Sequence, residues 1–390
     1  MRILAIHNYY QIRGGEDECY EAEMELLQKH GHLVDLYQEK NERVAALGKL
    51  RTAARTLWSR QSYQAVKQRL TAQAYDVVHV QNFFPLISPS VYYAARDRGV
   101  PVVQTLHNYR LLCPNALFFR DGKVCEDCMG KEIAYPGVIH RCYRQSKTAS
   151  AGVAMMLAFH RAKNTWLEQV DLYIALTEFA RQKFIEGGLP ADKIVVKPNF
   201  VGLDPGIGEG QGGYALYVGR LSVEKGLDTL LAAWKQLKSR IPLKIVGEGP
   251  LAAQVIEATK QLPSVEWLGR RPMTEVYDLM GEAKFLVFPS KWYETFGRVA
   301  VEAFAKGTPV IAANIGAIAE LVEAGRTGLH FRPGDAEDLA TQIEWALENS
   351  EKLSQMRQAA RVEFEAKYTA EKNYQRLMDI YAKAQLRACV

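Results

Sequence analysis

Two carboxylates eight positions apart, Glu294 and Glu302, flank a Phe-Gly pair in the stretch KWYETFGRVAVEAFAKG. The apolar run FLVFPS ahead of them reads as a buried strand. KWYETFG reads as a loop, and RVAVEAFAKG as a helix closed by Gly307. Glu294 then lies on the loop beyond the strand's carboxyl end, and Glu302 about one to two turns into the helix. The amides of Thr295, Phe296 and Gly297 stand at the helix entrance, where the helix itself offers them no acceptor. Carboxylates accept hydrogen bonds from sugar hydroxyls, and free amides serve phosphate or hydroxyl oxygens, so the pattern suits a polyol ligand. One carboxylate on a loop and one on a helix do not read as a glycosidase pair. An exposed helix acid is the plain alternative for Glu302, but its neighbours in AVEAFAKG are mostly apolar.

Upstream, YVGRLSVEKG places Gly219-Arg220 at the end of a strand and Lys225-Gly226 at the start of a helix. Glycine lets backbone approach a phosphate, the helix start adds partial positive charge, and Arg220 and Lys225 supply fixed cations. An ordinary surface turn would use the same residue types. Gly14-Gly15 follow the first apolar run and precede an acidic helix start, a loop able to meet a ligand through its amides or a plain connection. No G-x-G-x-x-G is present there, so a dinucleotide fingerprint is excluded. His107 ends the apolar run of TLHNY, where a hydrogen-bonded rim residue is the usual finding.

Cys113, Cys125, Cys128 and Cys142 fall within one segment that directly follows His107. C-x-x-C with two flanking cysteines is zinc-ligand spacing, and four thiolates make a closed structural site. Reduced thiols packed in a loop, or a disulfide, fit the same residues. Cys19 and Cys389 look incidental.

These groups need a scaffold. The chain has 390 residues, 48% hydrophobic and 24% charged, which suggests two soluble globular domains. Its longest apolar stretch, AGVAMMLAFH, is half of the roughly 20 residues that span a bilayer. MRILAIHNYYQ lacks a signal-peptide core, and six cysteines at irregular intervals do not suggest an extracellular framework, so the cytoplasm is expected. Strand-like runs alternate with helical periods: RILAIHN, HLVDLYQ, DVVHVQN, PVVQTLHN, DLYIALT and KIVVKPN. The pattern restarts after the glycine-rich linker GLDPGIGEGQGG with YALYVGR, PLKIVGEG, VEWLGR, AKFLVFPS, TPVIAAN and GLHFRPG. This alternation predicts two doubly wound α/β domains whose ligands bind beyond the carboxyl ends of the strands.

The net charge of +5 is unevenly placed. No acid occurs between Glu42 and Asp76, where Arg43, Lys49, Arg51, Arg55 and Arg60 sit among Leu57, Trp58 and Tyr63. A second acid-free stretch from Ile133 to Leu167 carries Arg141, Arg144, Lys147, Arg161 and Lys163, with Met155, Met156 and Phe159. Solvated helix faces look like this, and so do surfaces that meet anions such as membrane lipid.

G-R-x-x-x-x-K-G, then E-x7-E after F-P-S, then GTPVIAANIGAIAE, closely resemble the retaining glycosyltransferases of family GT4, which have the GT-B fold. The likeness covers nearly the whole chain and is most specific over residues 214–334. It implies two Rossmann-like domains facing across a cleft: an acceptor domain 1–201, with the cysteine-bearing insertion at 108–146, and a donor domain 202–369. A C-terminal helix, 370–390, is implied to pack back onto the first.

By that resemblance Arg220 and Lys225 hold the donor pyrophosphate, and Glu294 the transferred sugar, helped by the amides near Phe296 and Gly297. Glu302 binds ribose, and Gly269-Arg270 contact the nucleobase. Gly15 approaches the donor phosphates, and His107 lies near the transferred sugar. No catalytic metal is implied, and no D-x-D motif occurs. UDP-glucose is the first donor expected, on its frequency in the family. The acceptor is expected to be a saccharide or lipid-linked saccharide of envelope or exopolysaccharide assembly, on a cytoplasmic enzyme peripheral to the membrane and without nucleic-acid partners. The rival readings are a nucleotide-sugar 2-epimerase of the same fold and a non-catalytic phosphoglycan-binding protein.

Overall fold

The computed structural model describes residues 1–388, which form two compact units. One comprises Met1–Phe118, Glu126–Gly202 and the chain from Asn373; the other comprises Phe119–Cys125 and Leu203–Lys372.

The first unit is built on β1 (Arg2–Tyr9), β2 (Leu33–Lys40), β3 (Val77–Asn82) and β4 (Val102–Thr105). The short strands β5 (Phe119–Arg120) and β6 (Lys123–Val124) pair separately as a hairpin, and β7 (Leu172–Ala175) and β8 (Ile194–Val196) complete the sheet. Its order is β2-β1-β3-β4-β7-β8, parallel throughout. Strands β3, β4 and β7 are buried along their whole length, which is why their sequences are nearly continuous apolar runs. The order reverses between β1 and β3, so their carboxyl ends frame a crevice.

The helix Gly15–Lys29 leaves β1 with Gly14 as its cap. Gly14 N–H donates to Asp17 Oδ2 at 3.1 Å, while Asp17 Oδ1 lies 2.8 Å from His7 Nε2. Tyr20, Met24 and Leu27 form its buried face, and each contributes on the order of 2 kcal/mol by leaving water. The final helix, Ala370–Ala388, sends Leu377, Ile380, Tyr381 and Ala384 into this same core, a spacing that keeps them on one face.

The second unit contains β9 (Ala215–Val218), β10 (Leu243–Val246), β11 (Val265–Gly269), β12 (Phe285–Phe288), β13 (Val310–Ala313) and β14 (Gly328–Phe331). The order is β11-β10-β9-β12-β13-β14, again parallel. Trp234, Phe285, Phe331, Leu339 and Ile343 anchor its core. Here the reversal falls between β9 and β12.

The sequence reading missed the β5–β6 hairpin, although RDGK carries the Asp-Gly signal. Asp121 and Gly122 both have positive φ, as a two-residue hairpin loop requires. The long basic segment resolves into three helices, Arg43–Leu47, Lys49–Leu57 and Arg60–Ala72. Gly48 separates the first two, and Ser59 caps the third by accepting from Ser62 N–H.

Candidate active site

The reversal point of the second unit collects most of the residues singled out by their types. Strand β9 runs out at Gly219-Arg220, and the turn Val223–Lys225 leads through Gly226 into the helix Leu227–Leu237. Strand β12 runs out into Pro289 and Ser290 and then the loop that carries Glu294. Lys225 Nζ donates to Glu294 Oε1 at 2.5 Å, and Ser290 Oγ and Trp292 Nε1 each donate to that oxygen at 2.9 Å. Lys225 also lies over the rings of Trp292 and Phe288, 5.4 and 5.8 Å from their centroids. Glu294 is 8% exposed, so its carboxylate is held by defined donors rather than by bulk water.

Two glycines make this approach possible. Gly226 has φ +71°, and a methyl group there would stand 1.7 Å from the Pro289 carbonyl oxygen. Gly297 has φ +133° and opens the helix Arg298–Ala305 against Leu321 and Ile318. The first residues of that helix leave their amides unused by the helix ladder. Glu302, among the buried residues of that helix, is 3% exposed and accepts from Arg298 Nε at 2.7 Å. A solvent-exposed acid is therefore excluded for Glu302.

Arg220 is exposed and has no ion-pair partner among the described residues. Its carbonyl oxygen accepts from the Tyr217 hydroxyl at 3.0 Å. Burial, with the Glu294 and Glu224 charges behind it, pushes the Tyr217 phenol far up, so it stays a neutral donor. The ends of β9, β10 and β11 are tied side by side: Gly219 N–H donates to Val246 O, and Gly247 N–H to Gly269 O. Gly269 thereby joins the same end of the sheet, with Arg270 exposed beside it.

Gly15 and His107 belong to the first unit, at the ends of β1 and β4. His107 Nε2 lies 2.6 Å from Gln81 Oε1. Burial above all, with His7, Lys197 and His79 nearby and Glu23 opposing, pulls its pKa down to about 3. Next to Gly15, the Glu16 carboxylate accepts from Tyr10 OH at 3.0 Å and Asn108 Nδ2 at 3.1 Å. Its other oxygen, Oε1, is buried without a hydrogen-bond partner. Burial lifts the acid to about 7, against the lowering effect of those two hydrogen bonds.

The spacing of the four cysteines predicts a zinc site. Among the described residues no three His, Cys, Asp or Glu side chains are placed to hold a metal ion together. Cys113 and Cys128 are buried and Cys125 and Cys142 half-buried; the Cys128 thiol points 4.0 Å from the Ala134 carbonyl. The β5–β6 hairpin and the helix Tyr135–Ile139 fall between them in sequence. Cys389 lies outside the described residues.

Sequence reasoning missed Ser290, Trp292 and Tyr217, which hold the chosen groups. The first two lie within the stretch that drew attention to Glu294, and their donors were the available signal. It also missed Gln81, Glu23 and Lys197, of which only Lys197, a lone cation after the apolar IVV, stood out in sequence.

A model described as a glycosyl transferase 4-like domain matches residues 20–199, and one described as glycosyl transferases group 1 matches residues 208–363. The chain belongs to the GT4-type glycosyltransferases. A glycogen synthase of Mycobacterium tuberculosis is 37% identical over 152 residues, 37% of this chain and 36% of that protein. The chain thus spans little more than a third of that relative. D-inositol 3-phosphate glycosyltransferase 1 of Catenulispora acidiphila is 29% identical over 327 residues, 80% of this chain and 72% of its own. The crystal structure of Anabaena Alr3699/HepE in complex with UDP superposes with a TM-score of 0.70 at 20% identity, covering 98% of this chain and 100% of that one. This GT4-type protein therefore has two Rossmann-like units of the GT-B type, and no helix among its described residues is long and apolar enough to cross a membrane.

Proposed function

We propose that the protein is a retaining glycosyltransferase moving a hexose from a nucleoside diphosphate sugar to a saccharide or lipid-linked saccharide. The observation that carries this reading is the Lys225–Glu294 pair at the β9/β12 reversal point, with Arg220 exposed beside it. Cations and helix-start amides suit a diphosphate, and a buried, donor-held carboxylate suits sugar hydroxyls. UDP-glucose is the first donor to test. The UDP complex of the Anabaena neighbour supports a uridine nucleotide.

In the transfer step the bond from the anomeric carbon to the donor phosphate oxygen breaks, and the acceptor oxygen bonds to that carbon on the face just vacated. The acceptor's proton passes to the leaving phosphate oxygen, so no separate base is needed. Arg220 and Lys225 stabilise the charge that develops on the diphosphate, a role that elsewhere falls to a metal. Glu294 orients the sugar, Glu302 the ribose, and Gly269-Arg270 the base. Gly15 and His107 keep the parts that the family likeness implies, contact with the donor phosphates and with the transferred sugar.

The first unit carries a surface suited to an anionic membrane. The helices Lys49–Leu57 and Tyr135–Ile139 both pack on Lys147–Ala162 and expose Leu50, Arg51, Ile139, Arg141, Lys147 and Met155. Trp58 and Met156 are not part of it, since Trp58 packs on Tyr93 and Met156 is fully buried. Arg55 is also withdrawn, paired to Glu39 at 2.9 Å.

A panel of nucleotide sugars, read by nucleoside diphosphate release first without acceptor and then with lipid-linked sugars, tests the reading. Slow release that accelerates with an acceptor is expected. Epimerised sugar with no acceptor dependence would replace the transferase by an epimerase.

A further inference from the structure

Behind His107 lies a line of buried polar groups drawn from four places in the first unit. Gln81, near the end of β3, donates from Nε2 to Glu23 Oε1 at 2.6 Å. Glu23, on the helix Gly15–Lys29, takes Lys197 Nζ on its other oxygen at 2.6 Å. Lys197, just past β8, also donates to Asn373 Oδ1 of the final helix at 3.2 Å. Gln81, Glu23, Lys197 and Asn373 are all at most 5% exposed. A buried ion pair is weak evidence of stability, because desolvation offsets much of its attraction. Its retention beside a site residue asks for another role.

The chemistry of the amide decides which way this line points. A carboxylate only accepts, so the Gln81 group facing Glu23 must be the amide nitrogen. Gln81 Oε1 therefore faces His107 Nε2, and an oxygen can only accept from it. His107 must then carry its proton on Nε2.

Burial and every charged neighbour except Glu23 favour a neutral ring. Glu23 alone would favour the imidazolium, but Lys197 already engages it. Burial by itself would raise the Glu23 carboxyl, yet the Lys197 ammonium beside it holds it below its ordinary value and so ionised. Burial lowers His79 to about 4, so it stays neutral between Tyr381 OH at 2.7 Å and Thr105 Oγ1 at 2.8 Å, and His7 is engaged by Asp17.

We infer that Gln81, oriented by the Glu23–Lys197 pair, is a positioning residue that locks His107 as the neutral Nε2–H tautomer. That tautomer leaves the ring's lone pair on Nδ1. The expected effect on turnover rests on the transferase reading, whereas the tautomer itself does not.

The test is the imidazole nitrogen spectrum of the full-length, 15N-labelled protein between pH 5.5 and 8, with His107→Gln identifying the signals. Wild type should show one neutral His107 species with a pyrrole-like Nε2 and a pyridine-like Nδ1. In Gln81→Met, which keeps the side-chain length but removes the acceptor, the Nε2–H share should fall to about half or lower. Turnover should fall about tenfold, the scale of one lost orienting hydrogen bond. Gln81→Glu, which can share a proton with Glu23 and still accept from His107, should retain the wild-type tautomer. A merely space-filling role predicts the reverse ranking, because Met fills the site without adding a carboxylate.

A proton on Nδ1 in wild type, or an unchanged tautomer in Gln81→Met, would overturn the inference. If Gln81→Met moves the proton while His107→Gln turns over donor at the wild-type rate, the lock stands and the catalytic part assigned to His107 falls. Should either Gln81 variant fold poorly, the wild-type spectrum and the remaining variant still decide the matter.

Discussion

Lys225 and Glu294 stand 69 positions apart in sequence and 2.5 Å apart at Nζ and Oε1, where the same carboxylate oxygen also takes hydrogen bonds from Ser290 and Trp292. The cation proposed for the donor diphosphate and the carboxylate proposed for the sugar are thus one coupled unit.

That coupling has a kinetic signature. Glu294→Ala should lower turnover on the order of 10²–10³-fold, the scale of losing one preorganised polar group at the reacting centre. Free UDP affinity should change little. Lys225→Ala and Arg220→Ala should weaken UDP binding as well, which titration calorimetry can separate from turnover. The Lys225→Ala/Glu294→Ala double variant should lose less than the sum of the singles, because each single change already breaks the shared contact. Strict additivity, or equal loss of UDP affinity in all three single variants, would contradict the assignment.

The close approach of the two strand ends depends on Gly226. Gly226→Ala places a methyl group 1.7 Å from the Pro289 oxygen at a φ of +71°. Left-handed backbone and overpacking together should cost at least about 2 kcal/mol. Gly269 has a similar φ of +69° with open space around it, so Gly269→Ala should cost only about 1–2 kcal/mol. Urea unfolding of the two variants measures the difference; equal costs would mean that the Pro289 contact relaxes.

Acid should destabilise the first unit, and the sign can be worked out. Burial lowers His79 and His160 to about 4 and His107 to about 3. Below about 6.5 the unfolded chain protonates all three while the folded protein does not, so stability falls as pH drops through that window. Glu16 acts oppositely: raised to about 7, it holds a proton when folded between about 4.5 and 7 and favours the acid side. Three groups against one leave about two protons taken up on unfolding near pH 5.5, a slope of roughly 2–3 kcal/mol per pH unit. Urea midpoints at pH 7 and pH 5.5 check this, and a higher midpoint at pH 5.5 would reverse the assignment.

Vesicle binding tests the membrane surface. Charge reversal at Lys49, Arg51 and Arg60, all exposed, should weaken binding to anionic vesicles by about 1 kcal/mol per site. Arg55→Glu should instead act on stability, because it would face Glu39. Binding should also weaken as salt rises. Equal binding to neutral and anionic vesicles, or none to either, would favour a soluble acceptor.

The sequence by itself determined the alternation of strands and helices, the break near residue 202, and the stretches that carry Arg220, Lys225, Glu294 and Glu302. Those are local matters: apolar runs of strand length, helical periods and glycine at turns constrain backbone over a few residues. Even the overlooked hairpin was written in Asp121-Gly122.

Convergence was decided only in three dimensions. Parallel register and a reversal of strand order set the end of β12 beside the end of β9, and that adjacency made a pair of Lys225 and Glu294. The same long-range packing drew Glu23, Gln81, Lys197 and Asn373 into one buried line behind His107. It also withdrew Arg55 into a pair with Glu39. Spacing along a chain limits how far apart two groups can be. Direction and burial, which decide whether they meet, come from the helices and strands packed between them.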